Sequence, residues 1–147
     1  MKGDIVVGVG GAGSGFAAAR TAGRVASALG VQVVLVFGYE PSQLAPRGGV
    51  FEERIAEIGD EAIAQIQSEL TSLYPSLSIE VRMVQQRPAD ALIAIAEEHE
   101  AGAIAVGHGG QGPLRGALLG NITYEIVHRS PIAVLVVPDE DEDQITS

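Results

Sequence analysis

Four short runs constrain this chain more than anything else in its sequence. Ile5 to Val9, Val31 to Phe37, Ala103 to Val106 and Ile132 to Val137 are dominated by aliphatic, mostly β-branched residues and are bounded by glycine, proline or polar residues. Runs of this length, apolar toward both sides, read as strands of a parallel sheet that helices cover on both faces. A fifth segment behaves differently. Leu77, Ile79, Val81 and Met83 alternate with Ser78, Glu80 and Arg82, which marks a strand with one wet face, suited to a sheet edge.

The intervening segments carry helical spacing. Ser14 stands as an N-cap ahead of Phe16, Ala19, Val25, Ala26 and Leu29, which suit one face, and Gly30 closes that helix. After a loop containing Pro41 and Pro46, the series Phe51, Ile55, Ile58, Ala62, Ile66, Leu70 and Leu73 keeps spacings of three and four up to Pro75, an amphipathic helix. Pro88 suits the first turn of a third helix through Leu92, Ile93 and Ala96. Leu118, Leu119, Ile122, Ile126 and Val127 supply the face of a fourth. Five strands alternating with four helices make an α/β fold, a three-layer doubly wound five-stranded parallel sheet, and 147 residues suit one domain. That domain is expected over residues 1–138, with 139–147 an acidic, disordered tail.

Charge narrows the partners. The formal net charge is −10, but Asp139 to Asp143 are five consecutive acids, and the rest holds 14 acids against 9 bases. One lysine and eight scattered arginines form no basic stripe, which disfavours nucleic acid. The lack of cysteine removes thiol catalysis and disulfides, and no apolar run reaches the length of a membrane span. A cytoplasmic protein with no membrane partner is expected.

Eleven of the 19 glycines fall in two windows, 8–15 and 107–120, each between a strand and a helix. In open α/β sheets that edge carries the ligand. Glycine there lets the backbone approach a phosphate, and helix N-termini hold its charge. The first window, Gly8-Val9-Gly10-Gly11-Ala12-Gly13, satisfies GxGxxG. A dinucleotide site also wants an acid at the end of the second strand, and Glu40, 27 residues after Gly13, fits poorly. The same window also reads as a permissive strand-to-helix turn.

From Gly107 the chain reads GHGGQGPLRGALLGNITYEIVHRSPIAVLVV, with Gly107, Gly110 and Gly120 spaced as G-x2-G-x9-G. Here the sequence resembles the universal stress protein family. The resemblance extends through the IVVGV and VQVVLVF strands, the RPADALIAIAEE helix start, AIAVG and the closing PIAVLVVP. It implies an adenine nucleotide α-hydrolase-like fold with sheet order 3-2-1-4-5, a homodimer, a role in the stress response, and binding of ATP or a related adenine nucleotide such as AMP or ADP, with Mg2+ accompanying a polyphosphate. By the same resemblance Gly107 and Gly110 would line the phosphate path, Gly120, Asn121 and Thr123 would meet the phosphates, and Val106 and Gly38 would border base and ribose. Gly10 stands where nucleotide-binding members usually have an aspartate toward the nucleoside. Asn121 replaces a serine or threonine, and His108 and Gly109 replace a small hydroxyl and polar pair. Gly11, Gly13 and Gly15 either compensate in part with backbone contacts or simply close the loop over an empty site.

Other roles compete at several of these residues. Asn121 and Thr123 would also serve as helix caps, and His108 is either a phosphate donor or a solvated loop side chain. Arg115 reads as surface or as a phosphate contact. His99, inside Glu97-Glu98-His99-Glu100, reads as exposed surface. His128 and Arg129 suit the dipole at a helix C-terminus. No nucleophile, base and orienter stand in a recognisable arrangement, so no enzyme is expected beyond slow ATP hydrolysis. The order 3-2-1-4-5 would leave the run Ile132–Val137 at an open edge, and so uncharged an edge calls for a second copy paired antiparallel. The alternative function is a stress protein that has lost nucleotide binding and works through protein partners; an oxidoreductase fragment using NAD is a third.

Overall fold

The computed structural model describes residues 3–10, 15–39, 49–109 and 120–138, with 49–56 described as backbone only. The elements follow as β1 (Ile5–Gly8), α1 (Phe16–Leu29), β2 (Val33–Gly38), α2 (Gly49–Leu73), β3 (Ile79–Val84), α3 (Pro88–Glu98), β4 (Ala103–Gly107), α4 (Asn121–Arg129) and β5 (Ala133–Val137). The sheet order is β3-β2-β1-β4-β5, every neighbouring pair parallel. This is the doubly wound sheet that the alternation of runs and helices implies.

Strand alternation divides the core in two. Ile5, Val7, Val33, Leu35 and Phe37 face α1 and α2, whereas Val6, Val34, Val36, Ile104 and Val106 face α3 and Ile126 of α4. Each fully buried aliphatic side chain of these strands contributes about 1.5–3 kcal/mol relative to exposure, which explains why the central runs carry no polar position after Gln32. The edge strand β3 instead carries Glu80 and Arg82. Arg82 bonds Glu98 at the end of α3, and that bond holds the Glu98 carboxyl below its ordinary range.

Several expectations change. Leu29, expected on the apolar face of α1, is 46% exposed at the helix end. Helix α1 is preceded by Gly15 as N-cap, with φ 84 and no side-chain cap, rather than by Ser14, which lies outside the described residues. A Cβ at Gly15 would stand 2.2 Å from the Gly8 carbonyl oxygen, so conformation and space both demand glycine there. In α2 the predicted face members Ile58 and Leu73 are 45% and 55% exposed, while Ala62, Ile63, Ile66 and Leu70 are buried. The cause is Gly59, which sits so close over β2 and β3 that a Cβ would lie 2.8 Å from the Phe37 ring and 2.9 Å from Met83 Cε, turning that side of the helix inward. In α4 only Thr123 and Ile126 are buried, leaving Ile122 and Val127 44% and 43% exposed; Leu118 and Leu119 lie outside the described residues, as do 139–147.

His99 is not free surface. Its ring places Nδ1 3.1 Å from Asp4 Oδ2 and Nε2 2.9 Å from Glu80 Oε2, half-buried at the end of α3. The partners lie 95 and 19 residues away, so the local run of acids gave no sign of them. This tie stands at the amino end of the sheet, opposite the strand ends that carry the glycines.

Candidate functional site

Three adjacent strands, β2, β1 and β4, each end in glycine at the carboxyl edge: Gly38, Gly8 and Gly107. With no side chains to fill the space, a cleft of about 310 Å³ opens there. Val9, Gly10, Val36 and Val106 line it from the strands, Pro88 and Leu92 from α3, Gly15 from the start of α1, and Gly109, Gly120, Asn121, Ile122 and Thr123 from the second window. The position is the switch point of the sheet, where the chain leaves β1 to one side and β4 to the other.

Short-range bonds hold the second window's ends against the sheet. The Gly120 N–H donates to the His108 carbonyl at 3.0 Å, and the His108 N–H donates to the Val137 carbonyl at 2.8 Å. Thr123, 4% exposed, donates its hydroxyl to the Gly107 carbonyl at 2.5 Å. Gly109, at φ 77, packs so tightly on Gly120 that a Cβ on the latter would lie 2.7 Å from the Gly109 carbonyl oxygen. These contacts set the N-terminus of α4 directly over the end of β4.

The electrostatics follow from the backbone. Both α1 and α4 begin at the cleft with a glycine N-cap, no side-chain cap bond and no acid in the first turn. Helix α3, by contrast, has Asp90 in its first turn. The first-turn N–H groups of a helix have no intrahelical acceptor, and each N-terminus carries about half a positive charge. An acidic chain thus keeps its acids away from the two helix starts that meet here, an arrangement suited to an anion. The rest of the described wall is aliphatic or glycine, suited to a flat apolar ring.

Outside the cleft a clasp of charges joins its two helical walls. Arg87 bonds Glu125 at 2.6 Å, and Arg129 bonds Asp90 at 2.8 Å and also Glu125. The bonds to Asp90 and then Glu125 raise the Arg129 pKa further above its ordinary value. His128 accompanies it with Nδ1 2.9 Å from the Tyr124 carbonyl oxygen and its ring stacked on Tyr124.

Of the residues singled out in the sequence, Gly10, Gly38, Val106, Gly107, Gly120, Asn121 and Thr123 come together in this wall. His108 is not among the lining residues; its backbone serves as the stitch between β5 and α4. Gly110, Gly11, Gly13, Arg115 and Glu40 lie outside the described residues. Val9 and Val36 of the strands, Pro88 and Leu92, whose helix starts at the cleft, and Ile122, expected on a core face, also line the wall without having been expected there. The signal for Pro88 was present, since a proline at a helix start opposite the strand ends is positioned to form a wall. Among the described residues no group of three or more His, Asp or Glu is placed to hold a metal ion.

The sequence model of the universal stress protein family matches residues 1–138. Two universal stress proteins from strains of Mycobacterium tuberculosis are each 27% identical over 138 residues, covering 90% of this chain and 94% of theirs. A universal stress protein crystallised in complex with cAMP is 28% identical, with a TM-score of 0.68 over 93% of this chain and 97% of that one. The universal stress protein of Archaeoglobus fulgidus in complex with dAMP has the same fold at 20% identity, TM-score 0.69, over 91% and 96% of the two chains.

Proposed function

Because this chain belongs to the universal stress protein family, we propose that it is a nucleotide-binding module of the stress response, taking ATP or a related adenine nucleotide such as AMP or ADP into the cleft at the strand ends. The observation that carries the reading is the meeting of two uncapped, acid-free helix starts, those of α1 and α4, in one glycine-walled cleft. A phosphate would sit at those helix starts, near Gly120 and the Asn121 amide, with the base and sugar against Val9, Val36, Leu92 and Val106. Relatives support the ligand class, since one at 28% identity was crystallised with cAMP. Gly110 belongs to the same proposal through the glycine spacing, and His108 through its backbone position.

The wall suits a phosphate but offers a divalent cation no carboxylate or histidine among the described residues, so Mg2+ would enter with a polyphosphate. The reading is one of binding rather than catalysis: the described wall holds no acid, histidine or lysine to move a proton. A cytoplasmic setting suits such a module, and among the described residues no helix is long and apolar enough to cross a membrane.

The assembly we propose is a homodimer through β5. Edge strand β3 is guarded by Glu80 and Arg82, whereas β5 reads AVLVV, with Val136 37% exposed and Ile122 and Val127 of α4 also exposed. An uncharged edge of this kind pairs readily with another strand, and a second copy paired antiparallel closes it symmetrically.

Calorimetric titration with ATP, ADP and AMP, with and without magnesium, tests the ligand. Saturable binding with one nucleotide per chain is expected. Absence of binding at millimolar nucleotide overturns the reading in favour of a stress protein that acts through protein partners.

A further inference from the structure

We infer that His99 is a pH-sensitive tie at the amino end of the sheet, one that binds α3, β3 and the start of β1 together when its ring is protonated and loosens when the ring is neutral. Its Nδ1 lies 3.1 Å from Asp4 Oδ2 and its Nε2 lies 2.9 Å from Glu80 Oε2. An ionised carboxylate only accepts hydrogen bonds, and a neutral imidazole has a single N–H. The doubly protonated ring therefore satisfies both contacts with charge-assisted bonds, whereas the neutral ring turns a bare lone pair toward one of the carboxylates.

The backbone fixes the ring in this position. His99 closes α3, its N–H donating to the Ile95 carbonyl at 3.0 Å. Glu100 follows at φ 49, a left-handed conformation that is uncommon for a residue other than glycine. The Ala101 and Gly102 N–H groups then donate to the Ala96 and Asp4 carbonyls at 2.9 and 2.8 Å. Asp4 is thus held twice, by its main chain through Gly102 and by its carboxylate through the ring. The C-terminal end of α3 adds the negative pole of a helix, which also favours a cation there.

The described charges around the ring favour its protonated form with one exception. Glu98 Oε2 lies 3.7 Å from Nε2, and Glu97 and Glu100, both exposed, flank it in sequence. Arg82 of β3 opposes them, but it is bonded to Glu98 and lies 3.6 Å from the Glu80 carboxylate. The Gln32 amide, ahead of β2, donates to Asp4 Oδ2 at 3.4 Å and carries no charge. A histidine in an unfolded chain titrates near about pH 6.5. A ring that the fold holds charged adds stability that is full below that value and is lost as the pH rises above it.

The test is urea unfolding of the full chain, wild type and His99→Gln, at about pH 5.5 and about pH 8.5, either side of the range in which histidine changes charge. Glutamine keeps an amide donor but does not titrate, and every other ionisable group is common to the two proteins. The wild-type midpoint is expected to exceed that of the variant by about 0.5 M or more at the acid pH, and by less than about half that margin at the alkaline pH. A margin equal at the two pH values, or larger at the alkaline one, overturns the inference and leaves the ring a packing role only. Should His99→Gln fail to fold, amide hydrogen exchange in the wild type decides. Protection of Ala101 and Gly102, corrected for intrinsic exchange and taken relative to the amides of α1, should fall about threefold or more from the acid to the alkaline pH; unchanged relative protection overturns the inference.

Discussion

Thr123→Val separates two roles for one hydroxyl. The substitution keeps the branched shape and removes the donor to the Gly107 carbonyl, at a site only 4% exposed. Losing a net hydrogen bond costs about 0.5–1.5 kcal/mol, and stranding a buried acceptor costs about 1–3 kcal/mol. The added methyl returns up to about 0.8 kcal/mol through burial. The balance is a destabilisation of about 1–2 kcal/mol. With a urea slope of about 2 kcal/mol per molar, the unfolding midpoint should fall by about 0.5–1 M. Because the hydroxyl is committed to the strand end, AMP affinity should fall only about two- to threefold, through a looser α4 N-terminus; Thr123→Ser, which keeps the donor and loses a buried methyl worth about 0.8 kcal/mol, should restore the affinity and recover the midpoint only in part. Urea unfolding and calorimetry on the same preparations check this. An unchanged midpoint together with a loss of AMP affinity beyond tenfold would refute the reasoning, since it would assign the hydroxyl to the ligand.

Gly120→Ala places a Cβ 2.7 Å from the Gly109 carbonyl oxygen. It should lower the melting temperature as well as weaken binding, and an unaltered melt would contradict the tight packing of the two glycines. His99→Ala removes the ties to Asp4 and Glu80 at the end of the sheet away from the cleft. It should cost about 1 kcal/mol in urea unfolding and leave AMP affinity within error, whereas a matching loss of affinity would show that the two ends are coupled. Val136→Lys puts a charge on the β5 edge. Light scattering should move from twice the 15.2 kDa of one chain to the single-chain mass, and a wild-type protein already at that single mass would dispose of the dimer.

Much of the architecture was legible because strands buried on both faces and a strand wet on one face leave different patterns. The runs around Val6, Val34 and Ile104 and the alternation from Leu77 to Met83 locate the centre and one edge of the sheet. Helix faces were less legible. Periodicity placed Ile58, Leu73, Ile122 and Val127 inward, but the orientation of α2 is decided by the close approach that Gly59 permits, and α4 buries only Thr123 and Ile126. The site was legible where glycine spacing marks strand ends, at Gly10, Gly38, Gly107 and Gly120. It was not legible where the wall comes from a helix distant in sequence, as with Pro88 and Leu92, or where a polar side chain turns out to serve the backbone, as with Thr123. His99 shows the same limit, since the partners that bury it are contributed by other elements.

The central claim is that an adenine nucleotide sits across the strand ends with its phosphate at the starts of α1 and α4. Titrating the isotopically labelled full chain with AMP and following its backbone amide resonances tests this directly. The account predicts saturable shifts at Gly8, Gly15, Phe16, Gly107 and Gly120 to Thr123, with Asp4, Glu80 and His99 unmoved. Absence of shifts at millimolar AMP, or shifts gathered at the His99 end of the sheet, would contradict it.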